Sequence, residues 1–222
     1  MDVDEACVAI KYYGIAASLP PPSAGGSAAA ASNDEAASLA LLEKRVTDLE
    51  RKLWQCGDDP SRSVDASMRR ARSAVEKACC YSSVWKWVPS DYYSRTLEQR
   101  RVILGAVSTY QLCKSMLMEN KACDSKDCSD RTNSRFYLVV LQYEAAISTK
   151  KLESEVRALR PPGTTRLDPS KFDFRVAEPE DNDRLTGYAS GAVTPFGLSD
   201  ATVPIVMSKD ITSVEPKFMW MG

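Results

Sequence analysis

The chain has 222 residues and a formal net charge of -1, with 29 Lys and Arg against 30 Asp and Glu and no histidine. The missing histidine excludes Ser-His-Asp and Cys-His nucleophilic sites, HExxH metalloproteases, Cys2His2 zinc fingers and any histidine general base. No apolar run approaches the roughly 20 residues of a membrane span, and the acidic start MDVDEACVAIKYY is unlike a signal or transit peptide, so a cytoplasmic protein without a membrane partner is expected.

From Gly14 to about Ser38 the chain is a tract of Ala, Ser, Gly and Pro that offers no large side chains to bury, and residues 1–38 are expected to be disordered. Leu39, Leu42, Val46, Leu49 and Leu53 then alternate at spacings of three and four, the a and d positions of a heptad seam. A short coiled-coil-like helix is expected over 39–56. It can pair with itself, giving a homodimer through 39–53, or dock on another helix.

SVDASMRRARSAVEKACC is a second amphipathic helix, with Val64, Met68, Ala71, Val75 and Ala78 on its apolar face. Arg69, Arg70 and Arg72 read as surface charge, and the aromatics Trp85, Trp87, Tyr92 and Tyr93 as core. Thr96 and Gln99 stand at capping-box spacing ahead of a short helix that Gly105 ends. YQLCKSMLM and RFYLVVLQYE are buried strands, STKKLESEVRALR is a helix stopped by Pro161, and EPEDNDRL holds a helical turn. FDFRVAE, VPIVMS and KFMWM are further strands. Strands alternating with helices give a mixed α/β (α+β) domain over 63–222.

Charge is unevenly placed. Residues 1–61 hold 5 basic and 10 acidic residues, 62–160 hold 18 and 11, and 161–222 hold 6 and 9. The basic middle can favour a polyanion or be a solvated surface. Seven cysteines without a repeating pair spacing read as free thiols. Cys79, Cys80, Cys123 and Cys128 lack the spacing of a zinc ribbon, so no metal and no cofactor is expected.

Two features carry chemistry. LTGYASGAVTPFGL, residues 185–198, has three glycines around Pro195, so its backbone can turn tightly and aim N–H groups at an oxyanion; it can equally be a plain connection. Lys114 interrupts an apolar strand and either reaches solvent at an edge or lines a cleft, where it attracts an anion or polarises an ester carbonyl. Cys113 beside it reads as a buried structural thiol.

The order CKSMLM, FYLVVLQY, KKLESEVRAL, TGYASGAVTPFGL, VPIVMS resembles that of the YbaK and prolyl-tRNA synthetase associated domain family, over 96–222. The resemblance implies a curled mixed β-sheet or partial barrel with surrounding helices, here preceded by a helical N-terminal extension. It also implies trans-acting hydrolysis of mischarged aminoacyl-tRNA, Cys- or Ala-tRNA for proline, by positioned water with substrate assistance. The partners are then the tRNA acceptor end and an aminoacyl-tRNA synthetase. Lys114 matches the family's strand lysine near the terminal adenosine, as the catalytic residue; Gly187, Gly191, Pro195 and Gly197 fall on the loop that shapes the aminoacyl pocket. Arg100 and Arg101 are the candidate nucleic-acid contacts. The family pattern continues with a glycine-rich turn and a closing strand, so Gly222 is expected to mark a C-terminal truncation. The alternative is a non-catalytic tRNA- or synthetase-binding module that keeps the fold without turnover.

Overall fold

The computed structural model describes residues 6–10 and 33–221. The expected disorder of 1–38 therefore lies largely outside the described residues, with two corrections: Ala6–Ile10 form a paired strand, and residues 33–38 are helical. Helix α1 spans Asn33–Leu53. Ala36 and Ala37, the best helix formers, extend the helix upstream of the heptad seam at little cost. The helix ends at Leu53, short of residue 56, and Trp54 beyond it is buried.

Helix α2 (Ala66–Lys77) is capped by Asp65, which accepts from the Met68 amide, and buries Ala71 and Val75 as its periodicity requires; Ala78 lies past its end and is exposed. Trp87 Nε1 donates to Trp54 O at 2.6 Å, and the Trp54 and Trp85 rings meet edge-on at 4.6 Å, so the end of α1 is tied to the strand that follows α2. That strand, β2 (Val84–Trp87), pairs antiparallel with β1 (Ala6–Ile10), which also pairs antiparallel with β7 (Met219–Met221). Helix α3 (Leu97–Leu104) carries the full Thr96–Gln99 capping box and stops on Gly105 in a left-handed conformation, as its sequence dictates.

The second sheet has the order β5-β3-β4-β6. Strands β3 (Cys113–Asn120) and β4 (Phe136–Gln142) form a seven-pair antiparallel ladder at its centre, and every residue of β4 is buried. Strand β5 (Phe174–Val176) pairs antiparallel with the far end of β3, and β6 (Ile205–Met207) runs parallel to β4 as an edge. The sheet is mixed and open rather than closed into a barrel, with helix α4 (Thr149–Ala158) and helix α5 (Pro179–Thr186) beside it. An isolated parallel bridge, Leu112 to Trp220, joins the two sheets.

The core divides by strand parity. Leu117, Phe136 and Leu138 pack with Ala71, Leu185, Tyr188, Val193 and Val203, while Met118, Tyr137, Val139 and Leu141 pack with Leu152, Val156, Phe172 and Phe174. Side chains of successive strand residues leave a sheet on opposite faces, so β3 and β4 supply both layers.

Candidate functional site

Lys114 and Ser115, near the start of β3, open onto a cleft of about 260 Å³. Strand β5 pairs with Met118, Glu119 and Asn120, short of Lys114 and Ser115, and both of these line the cleft although successive strand residues point to opposite faces. Tyr93 and Tyr143 stand on one side; Asn182 of α5, Ser190 and Gly191 stand on the other. The Lys114 ammonium lies 5.6 Å from the centre of the Tyr143 ring.

Arg100 sits behind the same aromatic wall. Its guanidinium lies within 5.2–5.4 Å of the centres of Tyr92, Tyr93 and Tyr143, and it donates to Arg95 O at 3.0 Å and to Tyr93 O. Two cations therefore flank one tyrosine ring, each favoured by its negative face. Arg101 pairs with Glu98 at 2.5 Å and donates to Ala106 O at 2.9 Å, which ties it to its own helix. The basic residues of α2 are also engaged: Arg69 with Glu50 of α1, and Arg72 with Glu76 and over Trp54.

The glycine loop is built on Arg70, which sequence reasoning grouped with its surface neighbours. Arg70 Nε donates to Gly197 O at 2.7 Å, its Nη2 donates to Gly187 O at 2.5 Å, and its guanidinium lies 4.6 Å from the Tyr188 ring centre. Tyr188 in turn donates its hydroxyl to Phe196 O at 2.6 Å, closing the loop on itself. Burial raises the Tyr188 pKa, opposed in part by the Arg70 charge. Gly187 ends α5 with φ of 73°, and a Cβ there would meet Ser199 Oγ at 2.2 Å and Arg70 Nη2 at 2.7 Å. A Cβ at Gly197 would meet the Arg70 carbonyl oxygen at 2.9 Å.

Of the four loop residues singled out in the sequence, Gly191 lines the cleft, with open space where a Cβ would be. Gly187 and Gly197 face Arg70, and Pro195 lies half-buried within the loop, outside the cleft lining. Ser115, Tyr143 and Asn182 were not singled out. Asn182 is 7% exposed and donates to Tyr188 O at 3.0 Å, which couples the α5 wall to the loop. Nothing local in the sequence marks it.

Cys113 is 1% exposed, and burial pushes its thiol pKa up to about 12, so it is an inert protonated thiol. Among the described residues no group of three or more His, Cys, Asp or Glu side chains is placed to hold a metal ion, and Cys79, Cys80, Cys123 and Cys128 are free. None of the described helices is long and apolar enough to cross a membrane.

Comparison with known proteins bears on this arrangement. No curated protein matches the chain in sequence. A solved structure described as a candidate trans-editing enzyme for prolyl tRNA synthetase is 20% identical, with a TM-score of 0.51 over 71% of this chain and 87% of that one. A scaffold from work on epitope backbone grafting by computational design is 18% identical, with a TM-score of 0.49 over 68% of this chain and 77% of that one. At its identity the first likeness concerns the fold alone. The model of the aminoacyl-tRNA editing domain matches residues 95–221, a stretch that contains both β3 with Lys114 and the glycine loop, and the chain belongs to that family.

Proposed function

We propose that the cleft hydrolyses the ester of a mischarged aminoacyl-tRNA, acting in trans in the cytoplasm on Cys- or Ala-charged proline tRNA. The observation that supports this is the placing of the Lys114 ammonium and the exposed Gly191 backbone on one cleft of about 260 Å³. That volume is below the 300–1,000 Å³ typical of drug-sized ligands, as suits a small aminoacyl group. Water adds to the ester carbonyl carbon, the bond to the terminal ribose oxygen breaks, and the amino acid leaves as a carboxylate; one proton of the water goes to the ribose oxygen and the other is released to solvent. As the family resemblance implies, proton transfer is assigned to the tRNA's own neighbouring ribose hydroxyl, a role for which the chain offers no histidine. Lys114 then supplies charge against the developing oxyanion and against the terminal nucleotide.

Deacylation of Cys- and Ala-charged proline tRNA tests this. Lys114→Ala is expected to lower turnover by roughly 10²–10³-fold at unchanged melting temperature. Undiminished turnover in that variant would sink the assignment, and tRNA binding without turnover in the wild type would favour the non-catalytic module instead.

We further propose that α1 joins two copies of the chain. Leu39, Leu42, Val46, Leu49 and Leu53 are each 53–63% exposed, so the seam is not spent on the chain's own core. Val46 at an a position with Leu42 and Leu49 at d suits a two-stranded pairing. Glu43 and Glu50 flank one side of the seam and Arg45 and Lys52 the other, so parallel copies bring opposite charges together and antiparallel copies like charges. Sedimentation of wild type against Leu42→Glu/Leu49→Glu tests it; a wild-type monomer at high micromolar concentration would refute it.

A further inference from the structure

A second pocket, of about 380 Å³, shares no lining residue with the cleft. Its walls come from the 3-10 turn Thr109–Gln111, the last residue of β4 and the segment 210–215. Two glutamine side chains hold these walls together. Gln111 is fully buried; its Oε1 accepts from the Val107 amide at 2.8 Å, and its Nε2 donates to Pro216 O at 3.1 Å beside Glu215. Ile211 packs against Cys113 and Val140, which seats the segment that carries Asp210. Gln142, at 6% exposed, donates from Nε2 to Tyr110 O at 3.0 Å. A carbonyl oxygen can only accept, so this bond fixes the orientation of the Gln142 amide and leaves Oε1 as its other end. Gln142 lines the pocket, and its Oε1 has no hydrogen-bond partner among the described residues.

The charged groups on these walls have one sign. Asp210 and Glu215 line the pocket, and among the described residues no Lys or Arg does. Glu215 already has Lys217 at 2.7 Å, whereas Asp210 has neither an ion-pair nor a hydrogen-bond partner among the described residues. The exposed Tyr110 ring and the half-buried Val214 complete the lining with apolar surface. Polar groups as buried as Gln142 are ordinarily paired, so the matching ligand brings N–H donors to Oε1, positive charge to Asp210 and a flat face to Tyr110. A guanidinium combines all three: it is planar, carries five donors, stacks on aromatic rings and is less strongly hydrated than an ammonium. We propose that this pocket binds a guanidinium on an alkyl stem, with Gln142 Oε1 and the Asp210 carboxylate accepting its N–H groups and the Tyr110 ring against its plane. That chemistry belongs equally to an arginine side chain presented by another protein and to a free alkylguanidine.

The test is a ligand-observed NMR titration of the full chain at about 0.15 M salt. Its probes are butylguanidinium, Nα-acetyl-arginine methylamide as the polypeptide-borne form, and Nα-acetyl-lysine methylamide as the ammonium counterpart. Saturable binding of a guanidinium probe with a Kd on the order of 1–10 mM is expected, as suits so small a ligand. Asp210→Asn and Tyr110→Ala should each weaken it by roughly threefold to tenfold, while Lys114→Ala, on the separate cleft, leaves it unchanged. Asp210 and Tyr110 are both exposed, and Asp210→Asn is nearly isosteric, so its melting temperature should match the wild type. Tighter binding of the arginine probe than of butylguanidinium supports a protein-borne arginine; equal or weaker binding supports a free alkylguanidine. A lysine probe that binds as well as the arginine probe overturns the guanidinium assignment. No saturable guanidinium binding up to about 50 mM, or wild-type affinity in either pocket variant, overturns the site. Neither result bears on the editing function, whose assay reads the other cleft.

Discussion

Arg70 and Gly197 lie 127 positions apart in the chain and are joined by a hydrogen bond of 2.7 Å from the guanidinium to the glycine carbonyl. The same side chain bonds Gly187 and lies over the Tyr188 ring, so one residue of α2 fixes both ends of the loop that forms a wall of the cleft. Each bond is charge-assisted and shielded by the half-buried setting.

Removing that anchor should cost more than a surface arginine would. Arg70→Ala is expected to destabilise the fold by about 2–4 kcal/mol in urea denaturation, from two lost charged hydrogen bonds and two carbonyls left short of a donor. Arg70→Lys should recover little, since an ammonium cannot span both carbonyls while stacking on the ring. A Lys variant as stable as the wild type would contradict this geometry.

The three loop glycines should separate by experiment. Gly197→Ala drives a Cβ against the Arg70 backbone oxygen and Gly187→Ala drives one against Ser199 and the Arg70 side chain, so both should lower the melting temperature. Gly191→Ala meets no neighbour, and its cost is limited to about 1–3 kcal/mol of backbone strain at φ of 100°. In deacylation assays Gly191→Ala should lose more activity per unit of lost stability than the other two.

Arg100 should behave as a core cation rather than as an RNA-binding residue. Its guanidinium is held by three tyrosine rings and two carbonyls, so Arg100→Ala is expected to destabilise the domain by about 1–3 kcal/mol. The salt dependence of tRNA binding should stay unchanged in that variant, whereas removing a side chain that neutralises a phosphate would flatten the slope by about one unit.

Cys113 gives a pH signature. Its folded pKa is about 12 against a reference of 9.0, so the unfolded chain gives up this proton first as pH rises. The contribution of the buried neutral thiol is therefore intact below pH 9 and lost as pH climbs towards 12, with stability falling along that interval. Denaturation midpoints of wild type and Cys113→Ala should converge above pH 10. Iodoacetamide at pH 8 should spare native Cys113 and modify the more accessible Cys79.

Much of the local structure was legible because its causes are local. The Thr96–Gln99 capping box, the Gly105 stop, the apolar stripe of α2 and the β-branched run of β4 each sit within a few residues of one another, and the structure places them as their spacing requires. The heptad seam was legible too, while its upstream start was not, because alanine tracts serve helix and linker alike. Lys114 stood out as a charge in an apolar strand, and three glycines around a proline stood out as a loop.

What those residues face was decided only by the tertiary structure. Arg70 has no mark in the sequence that separates it from Arg69 and Arg72, and a rotation of one residue along α2 turns a surface charge into the anchor of the loop. Gly187 and Gly197 were read as cleft residues, yet the folded chain turns them to Arg70 and leaves Gly191 on the cleft. Short-range periodicity and capping chemistry determine elements, whereas a cleft is made where elements fail to meet, and that depends on contacts between residues far apart in the chain.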